Sequence, residues 1–115
     1  MAVYFDGFDE KVLSFNSESG RKGALVYPVA GKSVKECDSS HANFIGFIRN
    51  AKCGLVGVQL GGYVECAYSG TAPEPGYRGL IADGYGGVKT DEAKADIKRL
   101  VLWTDPATNT VGFVL

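Results

Sequence analysis

From Leu55 to Tyr68 the chain alternates. Val56, Val58 and Leu60 fall on one face of an extended segment, and Leu55, Gly57 and Gln59 fall on the other. After Gly61-Gly62 the alternation resumes, with Val64, Cys66 and Tyr68 on one face and Tyr63, Glu65 and Ala67 on the other. A period of two rather than 3.6 predicts strands, and a Gly-Gly pair between strands predicts a hairpin turn. Phe44–Ile48 reads as the preceding strand, with Gly46 inside it, and Arg49–Gly54 as a polar connection. Asn43–Gly70 is thus the most apolar and most patterned stretch, and it reads as the core of a sheet.

Further strands are predicted at Lys11–Phe15, Gly23–Val29, Ser33–Cys37, Tyr77–Ala82, Val88–Thr90, Ile97–Thr104 and Thr110–Leu115. Clusters of Gly, Pro, Asn, Asp and Ser divide them. Pro28 lacks a ladder donor, so its strand ends there or lies at an edge. The last two strands predict a closing hairpin, with Leu115 built into the sheet. Asp91–Lys98 is the one helix-compatible segment, but it is short and polar and reads better as a loop or single turn. About eight to ten short strands, with turn signals roughly every 8–12 residues, predict an all-β fold. The expected form is a small glycine-rich β-barrel or sandwich with at most one short helix. No linker and no clean repeat divides the sequence, so residues 1–115 read as a single β domain. Residues 1–11 carry Val3, Tyr4, Phe5 and Phe8 on a segment too short to build its own core. They read either as a first strand docked on the domain or as an N-terminal arm that packs on a neighbouring subunit.

Composition narrows the function more than the fold. The chain has 115 residues, of which 45% are hydrophobic and 22% charged, ordinary for a folded domain. Glycine stands out: 16 residues is about twice average usage, as frequent tight turns would require. A net charge of -1 lacks the basic footprint of a nucleic-acid binder. The three cysteines, Cys37, Cys53 and Cys66, are widely spaced and read as reduced, packed thiols rather than metal ligands. The N-terminal residues match no signal peptide, and no apolar run has the length of a membrane span, so a soluble protein made in the cytoplasm is expected.

Catalytic patterns fail on inspection. Gly31-Lys32-Ser33 matches the tail of a phosphate-binding loop, but Val26 stands where the first glycine belongs and a strand follows instead of a helix. Gly84-Tyr85-Gly86-Gly87 leads into no helix and reads as a turn. His41 is the sole histidine, with no nucleophile placed beside it by the sequence. Asp6-Gly7-Phe8-Asp9 lacks the ligand spacing of a calcium loop. The expectation is no enzyme, no cofactor and no metal. Tyr63, Tyr68, Tyr77 and Tyr85 border turns and are candidate interface anchors.

FIGFIRNAKCGLVGVQLGGYVECAYSGTAPEPGYRGLIADGYGGVK, followed by VLWTDPATNTVGFVL, resembles the capsid decoration (cement, or head-auxiliary) proteins of tailed phages and prophages. The shared pattern is structural rather than catalytic and covers about residues 44–115. The resemblance implies a virion protein on the outer capsid surface that stabilises the shell by bridging subunits of the major capsid protein. It also implies self-association as a homotrimer, with no nucleic-acid or membrane partner. The interface would be made by Val3, Tyr4, Phe5 and Phe8 of the arm together with Pro73, Pro75, Tyr77 and Tyr85. The alternative is a small β-barrel binding module that recognises a carbohydrate or host-surface ligand through exposed tyrosines.

Overall fold

A computed structural model describes residues 11–17 and 20–115. The predicted aromatic arm lies outside the described residues. Among the described residues ten strands follow in order: β1 (Lys11–Asn16), β2 (Leu25–Val29), β3 (Ser33–Glu36), β4 (Gly46–Lys52), β5 (Leu55–Gly61), β6 (Tyr63–Ala67), β7 (Gly76–Ala82), β8 (Val88–Thr90), β9 (Lys98–Asp105) and β10 (Thr110–Val114). The fold is all-β, as the alternation predicts. The segment Asp91–Lys98 forms turns that lead into β9 at Lys98 rather than a helix. The Asp91 carboxylate accepts from the Lys94 backbone N–H at 3.0 Å, and the Asp91 carbonyl accepts from Ala95 N–H at 3.0 Å.

Strands β1–β5 close into a barrel in the order β1-β3-β2-β4-β5, with β5 returning to β1. Strands β6–β10 form a second sheet in the order β6-β10-β9-β7-β8. A parallel bridge between Tyr68 and Val88 joins its two edges, with Ser69 N–H donating to Val88 O at 2.9 Å. Reading β6 for β1, β7 for β2 and so on, the two orders are the same circuit. Each has two hairpins, two further antiparallel ladders and one parallel contact.

The correspondence holds residue by residue between β1–β5 and β6–β10 and between β4–β5 and β9–β10. Leu13 faces Val58 on β1–β5, and Val64 faces Phe113 on β6–β10. Asn50 faces Gly57 in the first unit and Trp103 faces Gly112 in the second. The ladder slips at the next step in both, so that the register passes over Arg49 and Leu102 as matching bulges. Ser17 N–H donates to Gly54 O at 2.9 Å, and Tyr68 N–H to Asn109 O at 3.1 Å, with both acceptor residues at positive φ. The chain is therefore a tandem of two five-stranded units of one topology. Only fragments are repeated in the sequence, such as Val56-Gly57 against Val111-Gly112 and Val34-Lys35 against Val88-Lys89.

This arrangement corrects the reading of the central stretch. Gly61-Gly62 is not a hairpin turn, because β5 pairs with β1 and β4 while β6 pairs with β10. Gly62, at φ 89°, is the switch point between the two units, and its carbonyl accepts from Leu115 N–H at 3.0 Å. Nor is Arg49–Gly54 a connection: β4 runs on to Lys52, and only Cys53-Gly54, both at positive φ, make the turn. Pro28 sits where the β2–β4 ladder has already ended at Val26, so its missing donor costs nothing.

Each unit has its own core, and equivalent positions fill them. Val26, Val34, Ile48, Val56 and Val58 are buried in the first, with Leu80, Val88, Val101, Val111 and Phe113 in the second. The second core also takes in Leu25 and Phe44 from the first unit, so the junction is apolar. The connector between β3 and β4 lies along the second unit. Ala82 N–H donates to Ala42 O at 2.8 Å, and the Asn43 side chain donates to Lys94 O at 3.1 Å and accepts from Asp96 N–H at 2.8 Å.

Candidate interaction surface

The loop between β6 and β7 owes its shape to one arginine. Arg78, near the start of β7, folds back so that Nε donates to Glu74 O at 3.2 Å, Nη2 to Pro75 O at 3.1 Å and Nη1 to Tyr77 O at 3.2 Å. Its Nη2 also lies 3.6 Å from the Glu74 carboxylate. Two backbone carbonyls of the irregular loop, Glu74 and Pro75, and one at the start of β7 are thereby satisfied, which fixes the loop without regular ladder bonds. Pro73 is buried by its own chain and its carbonyl accepts from the Thr104 hydroxyl, so it anchors the loop. Pro75 and Tyr77 are exposed, Tyr77 by 65%.

The loop between β7 and β8 is built around Asp83. One carboxylate oxygen accepts from Tyr85 N–H at 2.7 Å and Gly87 N–H at 3.1 Å, and the other accepts from the Ser69 hydroxyl. Gly84 and Gly86 flank the tip at φ 84° and 91°, a conformation that side chains rarely adopt. Tyr85 stands on this braced tip with 91% of its surface exposed. Tyr77 lies within β7 near its start and Tyr85 beyond its far end, and the run from Tyr77 to Ala82 spans about 17 Å at strand rise. They are two contact points rather than one patch. Val3, Tyr4, Phe5 and Phe8, the remaining predicted interface residues, lie outside the described residues.

Tyr85 also overhangs a cleft of about 440 Å³ at the junction of the two units, walled by Arg21, Lys22, Glu36 and Cys37 on the other side. Arg21 and Glu36 pair across two hydrogen bonds of 2.9 and 3.3 Å. Burial pushes the Cys37 thiol up to about 12, with Asp38 adding to the shift and Arg99 opposing it. Cys66 is also pushed up to about 12, by burial first and Asp83 second. Both thiols are therefore protonated at neutral pH and are poor nucleophiles and metal ligands. His41 stacks on Tyr27 at 4.5 Å, and its Nδ1 lies 3.4 Å from Asp38. The backbone N–H of His41 is the main cause holding the Asp38 carboxyl below its usual range. Among the described residues no group of three His, Cys, Asp or Glu side chains could hold a metal ion.

Two side chains that carry the junction were not apparent from the sequence. Arg99 looks like half of a cationic pair with Lys98, yet it is 5% exposed and donates to Phe44 O at 2.7 Å. Gln59 falls on the face opposite Val56, Val58 and Leu60, yet it is fully buried and its amide donates to Gly61 O at 2.9 Å and Tyr63 O at 3.0 Å, clasping the switch between units. No protein-family model matches the chain, and no curated protein or solved structure matches it either.

Proposed function

We propose that the protein is a structural component of a phage or prophage virion that binds the outer surface of the capsid and stabilises the shell by bridging major capsid protein subunits. The resemblance of residues 44–115 to capsid decoration proteins motivates the reading. The observation that carries it here is the way the surface tyrosines are presented. Tyr77 stands at the start of β7, beside the loop that Arg78 braces, and Tyr85 stands on the loop that Asp83 braces beyond the other end of that strand. Two rigid aromatic contacts separated by a strand length suit a bridge between neighbouring subunits, because little conformational entropy is lost on docking. Co-sedimentation with purified empty capsids tests the reading: the protein pellets with shells, and Tyr77→Ser with Tyr85→Ser abolishes this without loss of fold. Wild-type protein that stays in the supernatant overturns it.

A second reading, recognition of a carbohydrate, is favoured by Tyr85 beside the polar junction cleft, since an exposed ring next to charged donors and acceptors suits a sugar face. A glycan-array signal lost in Tyr85→Ser, together with absent shell binding, selects it.

A further inference from the structure

The cleft at the junction of the two units, about 440 Å³, falls in the size range of small-ligand sites. Its walls carry two cations, Arg21 and Lys22, against one carboxylate, Glu36, in a chain whose net charge is -1. Glu36 takes Arg21 side-on, accepting from Nε at 3.3 Å and from Nη2 at 2.9 Å. That pair fixes the orientation of the guanidinium and leaves its Nη1 edge uncommitted among the described residues. Lys22 has no ion-pair partner among the described residues. The neighbouring carboxylates do not supply one. Asp83 is taken up by the Tyr85 and Gly87 N–H groups and the Ser69 hydroxyl, and Asp38 by the Ser40 and His41 N–H groups. Much of the remaining wall is bare backbone. Gly23, Gly84 and Gly86 line the cleft at φ 91°, 84° and 91°, and a Cβ on any of them would meet nothing within 4 Å. Main-chain groups there are open to close approach by a polar ligand.

We propose that this cleft binds an acidic sugar, with the sugar carboxylate on the open edge of Arg21 and on Lys22 and the apolar ring face against Tyr85. A planar carboxylate matches the fork of a guanidinium, and Glu36 acts as the positioning residue that holds the fork in place. Tyr85 is the one aromatic side chain among the described lining residues. A single ring covers the one apolar face that a sugar presents, whereas a flat base would be left with its second face uncovered. The bare glycine backbone gives the sugar hydroxyls donors and acceptors at short range. The inference rests on the carbohydrate reading and names the class of sugar within it; the capsid reading stands or falls apart from it.

A glycan array decides it when it carries neutral oligosaccharides, uronic-acid and sialic-acid oligosaccharides, and the methyl esters of those acids. Wild-type protein binds the acids, and the signal falls roughly tenfold or more for the matching esters, which keep the shape and lose the charge. Arg21→Gln with Lys22→Gln lowers the acid signal to that of the ester. Tyr85→Ser lowers acid and ester alike. All three side chains are exposed, and circular dichroism matched to wild type establishes that the variants fold; Lys22→Gln alone replaces the double variant if it does not. Equal signals for acid and ester, or an acid signal unchanged in the Arg21, Lys22 variant, overturn the inference and leave the carbohydrate reading standing. Absence of binding to every glycan overturns both. Dextran sulfate bound as tightly as the acids, with no loss in Tyr85→Ser, marks plain charge attraction and also overturns it.

Discussion

The guanidinium carbon of Arg99 lies 4.0 Å from the centroid of the Phe44 ring, and Arg99 Nη2 donates to the Phe44 carbonyl at 2.7 Å. The side chain crosses from the second unit to the connector of the first. Burial lowers its pKa to about 10, with Cys37 acting the other way, and its Nε has no hydrogen-bond partner among the described residues. The junction thus spends some stability on keeping a cation dry, and recovers it through the ring contact, the carbonyl bond and the apolar stem. Arg99→Ala removes all three and is expected to cost about 2–4 kcal/mol in urea unfolding. Arg99→Met keeps the volume and removes the buried charge, and is expected to cost under about 1.5 kcal/mol. Equal losses would mean that the hydrogen bond, not the packing, holds the junction.

Phe44 itself is the apolar plug of the second core, 2% exposed. Phe44→Ala is expected to cost about 3–5 kcal/mol. Differential hydrogen exchange should show the loss concentrated in β6, β9 and β10. Protection lost first in β1 and β5 would contradict the assignment of Phe44 to the second core.

Matching glycines in the two units predict unequal costs. A Cβ on Gly57 would come within 2.8 Å of the Asn50 amide, an exposed side chain able to swing away. A Cβ on Gly112 would land on the Trp103 indole and the Tyr63 hydroxyl, which are hydrogen-bonded to each other. Gly112→Ala is expected to cost about 1–3 kcal/mol and Gly57→Ala under about 1 kcal/mol. Thermal melts of the two variants check the order, and a reversed order would refute the stated packing.

Alkaline pH should weaken the fold. The Cys37 and Cys66 thiols have ordinary values of 9.0 and are pushed up to about 12, and the Tyr63 phenol rises from 10.0 to about 12, chiefly through burial. The unfolded chain loses these protons first, so the stability they support is complete below pH 9 and declines as pH rises toward 12. Arg99 acts in the opposite sense only once pH passes its lowered value of about 10. The clean window for the thiols is therefore pH 9 to 10. There the melting temperature of wild type should fall more steeply than that of a Cys37→Ala, Cys66→Ala variant; equal slopes would show that the thiols do not titrate as described.

The aromatic N-terminal segment offers one more separation of roles. Removing residues 1–8 is expected to weaken capsid attachment more than it lowers the melting temperature, if the segment reaches a neighbouring subunit. A parallel loss of both in pelleting and melting assays would make it part of the domain core.

The strands were legible in the sequence where alternation survives, as in β6: Val64 and Tyr68 are buried while Glu65 and Ala67 are exposed, as their spacing requires. The closing hairpin of β9 and β10 was legible from Asp105–Asn109. The duplication was not, because equivalent core positions share only apolar character, as with Val58 and Phe113, and the connections differ in length. Gly61-Gly62 misled for a related reason. A glycine pair marks where the chain can reverse, but which strands then pair is decided by long-range partners, β1 and β10. The burial of Arg99 and Gln59 was likewise illegible, since both are explained by the junction between units rather than by their own strands. The tyrosine loops were legible as turns, but not the bracing by Arg78 and Asp83 that makes them rigid.

A reconstruction of empty capsids incubated with the protein at saturation tests the functional account most directly. The account predicts added two-lobed density on the outer shell, touching more than one capsid subunit, with the loop carrying Tyr85 at a contact. Shells that show no added density under these conditions, or density confined to the interior, would contradict it.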